Sequence, residues 1–125
     1  MLIAKIKSFT DLHAWQEGHL LVLDIYKITK TFPVDERFGL IDQMRRCSVS
    51  ITSNIAEGFS RKGKKEKIQF LFLALGSLTE LQNQLLVARD VGYISHELFK
   101  RLADKTVVIS KLTNGLIKSS HIHTT

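Results

Sequence analysis

Apolar residues along this chain recur at helical intervals in four long segments, and no segment alternates apolar and polar positions as a half-buried strand does. The pattern is richest from Phe38 to Gly58. There Leu40, Met44, Ile51 and Ile55 fall on one narrow face of a helix, the spacing of a packing stripe. Gln43, Arg46, Ser50, Asn54 and Glu57 recur at three, four, four and three, a second and wholly polar stripe beside the first. A helix with two such faces has two kinds of neighbour.

In chain order, the first helix is expected over about 11–31, with Thr10 or Asp11 as N-cap and Pro33 enforcing the stop. Leu12, Trp15, Val22 and Tyr26 form one apolar stripe and Ala14, Leu21, Ile25, Ile28 and Phe32 another, together wider than the arc a surface helix buries. Leu20 interrupts the polar side that remains. Two readings stand: a helix buried deep in its own bundle, or one that also packs on another subunit. The second helix is expected over about 36–58, capped by Asp35 and ended by Gly58. The basic connection FSRKGKKEK leads to a third over about 64–91. Its broad apolar face carries Ile68, Leu71, Ala74, Leu75, Leu78, Leu81, Leu85 and Ala88, while Phe72 and Leu73 stand off that face. Ala74, Gly76 and Ser77 thin this helix at its middle, as Ser48 and Ser50 thin the second, so the two backbones can approach closely there. Gly92 ends it, and Ser95 with Glu97 opens a fourth helix over about 96–118, lined by Leu98, Leu102, Ile109, Leu112 and Leu116. The tail SSHIHTT is expected to fray. Helices of roughly 20 to 28 residues, about 30 to 40 Å long, with short joins make one all-α domain spanning 1–125: an antiparallel up-down-up-down four-helix bundle.

At 125 residues and 44% hydrophobic content the chain can bury a core without staples. Eighteen Lys and Arg against twelve Asp and Glu give +6, which favours anionic partners. The single cysteine, Cys47, rules out an internal disulfide and suits a reducing compartment. No stretch approaches the roughly 20 apolar residues of a membrane helix, and MLIAKIKS lacks the core of a signal peptide. A cytoplasmic location with no membrane role is the expectation.

Catalytic chemistry is thinly represented. GFSRKGKK nearly spells a phosphate-binding P-loop, but Lys65 stands where Ser or Thr should hold magnesium, and a helix precedes it instead of a strand. His13 and Glu17 share a helical face without the Glu-x-x-His pair of a bundle metal centre, and His121 and His123 read as tail. Cys47 borders the apolar face, where a small buried thiol is expected. No catalytic residue, metal or cofactor is expected, so the protein reads as non-enzymatic.

Two features invite other readings. Ser and Asn are mediocre helix formers, and a merely solvated face would favour Lys, Glu and Ala. The stripe Gln43, Arg46, Ser50, Asn54, Glu57 therefore reads as a buried or interfacial polar network, with Arg46 to Ser50 and Asn54 to Glu57 or Arg61 among its pairs. Arg61, Lys62, Lys64, Lys65 and Lys67 against Glu66 carry most of the positive excess. Three of them sit at a helix N-terminus, which disfavours cations by a few tenths of a kcal/mol each. A bound phosphate would offset that, although solvating lysines on an exposed turn read equally well.

The segments FTDLHAWQ, IYKITKTFP, ERFGLIDQMRRCSVSITSNIAEGFSR and FLFLALGSLTELQNQLLVARDVGYI, in this order from Phe9 to Ile94, resemble the four-helix-bundle proteins encoded in intervening sequences of bacterial 23S ribosomal RNA genes. Arg46, Ser50, Asn54, Glu57 and Gly58 fall on that family's motif positions, and Cys47 stands where it usually has alanine. The resemblance implies a homopentamer. It also implies a distant similarity to the accessory variability determinant of diversity-generating retroelements, a basic pentamer that binds nucleic acid and a reverse transcriptase. The expected function is then a homo-oligomer that binds RNA or DNA through basic surface, or alternatively a protein-interaction scaffold with no nucleic-acid role. Trp15, Leu20, Phe72 and Leu73 are the expected interface residues between copies.

Overall fold

The computed structural model describes residues 6–122 of the chain. Ser8, ahead of the expected caps, opens the helical part: its side chain accepts from the Thr10 N–H while Asp11 accepts from the Lys7 and Ser8 N–H groups. This capping box starts a 3-10 turn over Phe9–Asp11, so Asp11 closes the box from inside it. Those bonds hold the Asp11 carboxyl below its ordinary pKa. Helix α1 follows over His13–Thr29, shorter at both ends than expected. The chain then leaves through Pro33 into a second 3-10 turn, Val34–Glu36.

Helix α2 runs Leu40–Ser60 and is capped otherwise than expected. Glu36, not Asp35, reaches the Leu40 N–H at 3.3 Å. Gly39 leaves room for it, because a Cβ there would stand 2.8 Å from the Glu36 carboxylate. Gly58 does not end α2 but lies buried inside it. A Cβ at Gly58 would meet the Lys67 carbonyl at 3.2 Å and Phe70 Cβ at 3.3 Å, so its missing side chain lets α3 approach. Helix α3 spans Lys64–Asp90 and ends as expected around Gly92, at φ +88. Tyr93 N–H bonds to Ala88 O and Gly92 N–H to Arg89 O, the paired closure of a left-handed cap. Ser95 Oγ accepts from Leu98 N–H and opens α4, His96–Ile122. The expected fraying from Ser119 is therefore corrected as far as residue 122, since the helix continues through that segment; His123 lies outside the described residues.

Contacts fix the topology. Gly18 lies against Thr52 and Arg45 Nε donates to Thr29 Oγ1, so α1 and α2 run antiparallel. Ser50 meets Ser77 while Gly58 meets Leu71. Gln82 donates to Thr106, and Arg89 covers the Phe99 ring. Asp24 pairs with Lys105, closing α1 onto α4. Neighbouring helices thus alternate in direction around a four-helix bundle, with α1 and α3 on one diagonal. Its core is Leu21, Ile25, Met44, Ile51, Ile55, Leu78, Leu81, Leu85, Leu102 and Ile109, all fully buried. Thr29, Thr106 and Thr113 enter this core because each hydroxyl donates to a carbonyl one turn back in its own helix, leaving no donor unpaired.

Helix α3 corrects one expectation. It is long and apolar enough, at mean hydropathy 1.2, to cross a membrane by length and composition alone, and about a third of its most apolar stretch is buried in the bundle. The apolar residues are spread around the helix and broken by polar ones, so no uninterrupted run announces them. Helix α1 buries Ala14, Leu21, Ile25 and Ile28 but leaves Leu20, Leu23 and Tyr26 exposed.

Candidate functional site

Arg61, in extended conformation, ends α2, and Gly63 begins α3 without a side-chain cap. The turn between them is tight enough to fold the first turn of α3 back on the last turn of α2. Lys67 uses this: its ammonium donates to Phe59 O at 2.9 Å and reaches Gly58 O at 3.5 Å, above the Phe59 ring. It therefore sits at the negative end of α2, where a cation is stabilised. Arg61 is also built in, paired with Glu57 at 2.7 Å and stacked over Phe70. Three of the five expected cations remain: Lys62 and Lys65 are exposed, Lys64 is half-buried, and none makes a hydrogen bond or ion pair among the described residues. The dipole of α3 therefore opposes Lys64 and Lys65, whereas Lys67 is held by the dipole of α2. Beneath the turn lies a cavity of about 80 Å³ lined by Leu12, Gly58, Phe59, Lys67, Leu71 and Leu116 among others.

The polar stripe of α2 resolves into separate pieces within one chain. Arg46 pairs with Asp42 at 3.0 Å instead of Ser50, and the pair is largely exposed. Ser50 Oγ bonds Ser77 Oγ across to α3 at 2.9 Å, while Asn54 Nδ2 donates to Ser50 O and Oγ instead of reaching Glu57 or Arg61. Glu57 belongs to Arg61, and Gln43 is exposed. Asp42 and Ser77 complete these pairs from outside the expected set. The first is legible as an acid four residues before Arg46, and the second lies in the thinned middle of α3.

Shallow grooves flank this face of α2. One, about 570 Å³, runs beside Tyr26, Arg45, Arg46 and Val49; the other, about 290 Å³, is bounded by Gln43, Arg46, Cys47, Ser50 and Glu80. Arg45 stacks over Tyr26 in the first. Cys47 donates from Sγ to Ser77 O in the second. Burial, with Glu80 nearby, pushes its thiol up to about 12, so it stays protonated and is a poor nucleophile. Two buried polar atoms without a partner, Gln84 Oε1 and Arg61 Nε, both border the seam between α2 and α3. Among the described residues no three His, Cys, Asp or Glu side chains cluster as a metal site. Of the expected interface residues, Leu20, Phe72 and Leu73 are more than half exposed. Trp15 is half-buried, edge-on to Phe9 and stacked on His19.

The class defined by this architecture is an antiparallel four-helix bundle with a basic turn at one end and a small-residue, polar seam between its second and third helices. The chain belongs to the 23S rRNA-intervening sequence protein family, whose pattern it matches over residues 10–115. Its fold is similar to the crystal structure of a protein of unknown function from the S23 ribosomal protein family of Bacteroides thetaiotaomicron, with TM-score 0.78 and 23% identity, covering 84% of this chain and 95% of that one. No curated protein matches the chain.

Proposed function

We propose that the protein is a non-enzymatic, cytoplasmic homo-oligomer, a pentamer by family resemblance, that binds RNA or DNA electrostatically through the turn between α2 and α3. The observation that carries the nucleic-acid reading is the set Lys62, Lys64 and Lys65, free of acidic partners beside a helix start with no side-chain cap. Repetition of that turn around a ring would let a few phosphate contacts per subunit act together. The oligomer reading is supported by Leu20 and Leu23 on α1 and by Phe72, Leu73, Leu86 and Val87 on α3, exposed apolar residues on two helices that occupy opposite corners of the bundle. Patches on opposite sides make a head-to-tail contact, which closes into a ring or grows into a fibre. A helix apolar on most sides is one that an assembly buries.

The test is Lys62→Gln, Lys64→Gln and Lys65→Gln together, leaving Arg61 and Lys67 to hold the turn. Affinity for a labelled structured RNA should fall, and the log-log salt slope should become shallower by about 0.7 to 0.9 for each phosphate that is no longer neutralised. Sequence preference should be slight, because phosphate contacts carry no base information. Unchanged affinity and slope in a variant of normal oligomer size would favour the protein-interaction scaffold.

A further inference from the structure

We propose that the α2–α3 seam is a docking groove for α1 of a second copy of this chain, with Leu23 seated at Gly76 and Lys27 paired with Glu80; this rests on the oligomer reading above. The outer face of α1 carries Leu20, Leu23 and Lys27, at steps of three and four. The seam side of α3 carries Leu73, Gly76 and Glu80 at the same steps. All six are exposed, so the two helices offer apolar to apolar, a side chain to a gap, and a cation to an anion, in one parallel register. Gly76 is open: apart from its chain neighbours and its own helix backbone, a Cβ there would have no atom within 4 Å. Within the chain the Glu80 carboxylate takes only a long contact from the Gln84 amide, at 3.5 Å, which leaves it available to an outside cation. Gln84 Oε1, one turn further along α3 from Glu80, is a buried polar atom without a partner in the chain.

The levels agree as well. Gly18 beside Thr52 and Thr29 beside Arg45 set the height of α1 against α2; Cys47 and Ser50 on Ser77 set α2 against α3. These registers place Lys27 and Glu80 within about one helical turn of the same height. Because α1 and α3 run parallel within a chain, rotation about an axis along the bundle brings α1 of one copy parallel to α3 of the next without translation. Such a contact has little rise per subunit, which is the condition for a ring when the rotation divides the circle.

Charge exchange tests the pairing in the full-length protein. Lys27 makes no hydrogen bond within the described chain, and Glu80 receives one long contact, so Lys27→Glu and Glu80→Lys should both fold, as circular dichroism would verify. Each single variant should raise the dissociation constant of the assembly, read by sedimentation at micromolar concentration, by about tenfold. The double variant should recover most of that affinity. Gly76→Gln, in a position open within the chain and better for helix propensity, should leave the monomer fold intact while weakening assembly. Single variants that assemble like the wild type, a double variant no better than the singles, or an undisturbed Gly76→Gln assembly would each overturn this groove while leaving the oligomer standing. A wild-type monomer in the same measurement would instead remove the oligomer reading and this one with it.

Discussion

Lys67 shows how one residue's role can turn on where a neighbouring helix ends. In the sequence it is one of several cations crowding the start of α3, opposed by that helix's dipole. In the structure its ammonium caps the carbonyls of Gly58 and Phe59 at the end of α2, so the same charge is favourable. Lys67→Met keeps the aliphatic stem and removes the donor. It should lower stability by about 1 kcal/mol in urea unfolding, a charged hydrogen bond in a partly solvated place. Lys62→Gln, at an exposed side chain with no partner, should stay within about 0.5 kcal/mol of the wild type. Equal losses of stability from the two would mean that the cap contributes nothing. The distinction is not legible in the run RKGKKEK, where composition gives five similar cations. Separating them requires knowing which one folds back on the preceding helix. Cys47 is easier, because its place beside the apolar stripe announces a buried thiol.

At the level of elements, the periodicity identifies four helices and their inward faces, and it fails chiefly at the ends. Gly58 looks like a terminator because glycine's backbone freedom commonly serves that purpose; here its missing side chain serves packing, and α2 continues to Ser60. Gly92 does terminate its helix, since nothing packs against it and only the backbone role remains. The buried threonines escape a pattern of apolar positions because their hydroxyls are paired within their own helices, which polarity scales do not register. The end of the bundle opposite the basic turn is tied by Glu36: one carboxylate oxygen caps α2 at Leu40 and the other accepts from Tyr93 Oη at 2.7 Å, joining the α1–α2 connection to the α3–α4 turn. That bond, then burial, raises the Tyr93 pKa above its ordinary 10.0. The bond's stabilisation is therefore complete below about pH 10 and is lost as pH rises through the raised value. Tyr93→Phe should melt below the wild type at neutral pH, and the gap should narrow as pH climbs past about 10. A gap that stays constant across that range would show that the phenol contributes only packing.

For the whole molecule, the apolar surface left outside the bundle is the feature with the largest consequence. Leu20 on α1 and Phe72 and Leu73 on α3 are each more than half exposed, on helices at opposite corners of the bundle. Burying such side chains is worth about 1.5 to 3 kcal/mol each when complete, enough for a few of them to decide whether copies associate at micromolar concentration. Association that stabilises the folded chain and not the unfolded one makes the melting temperature depend on protein concentration. Each tenfold dilution of an assembled ring removes about 1 kcal/mol per chain, which for a domain of this size lowers the melting temperature by a few degrees. Leu20→Gln, Phe72→Gln and Leu73→Gln together touch no buried core position, so the isolated bundle should still fold. Its melting temperature should be lower than that of the wild type at high concentration and nearly independent of dilution. If the wild type itself melts at one temperature across a range of about a hundredfold in concentration, the exposed apolar residues do not hold copies together. The basic turn would then meet its phosphates from a single bundle.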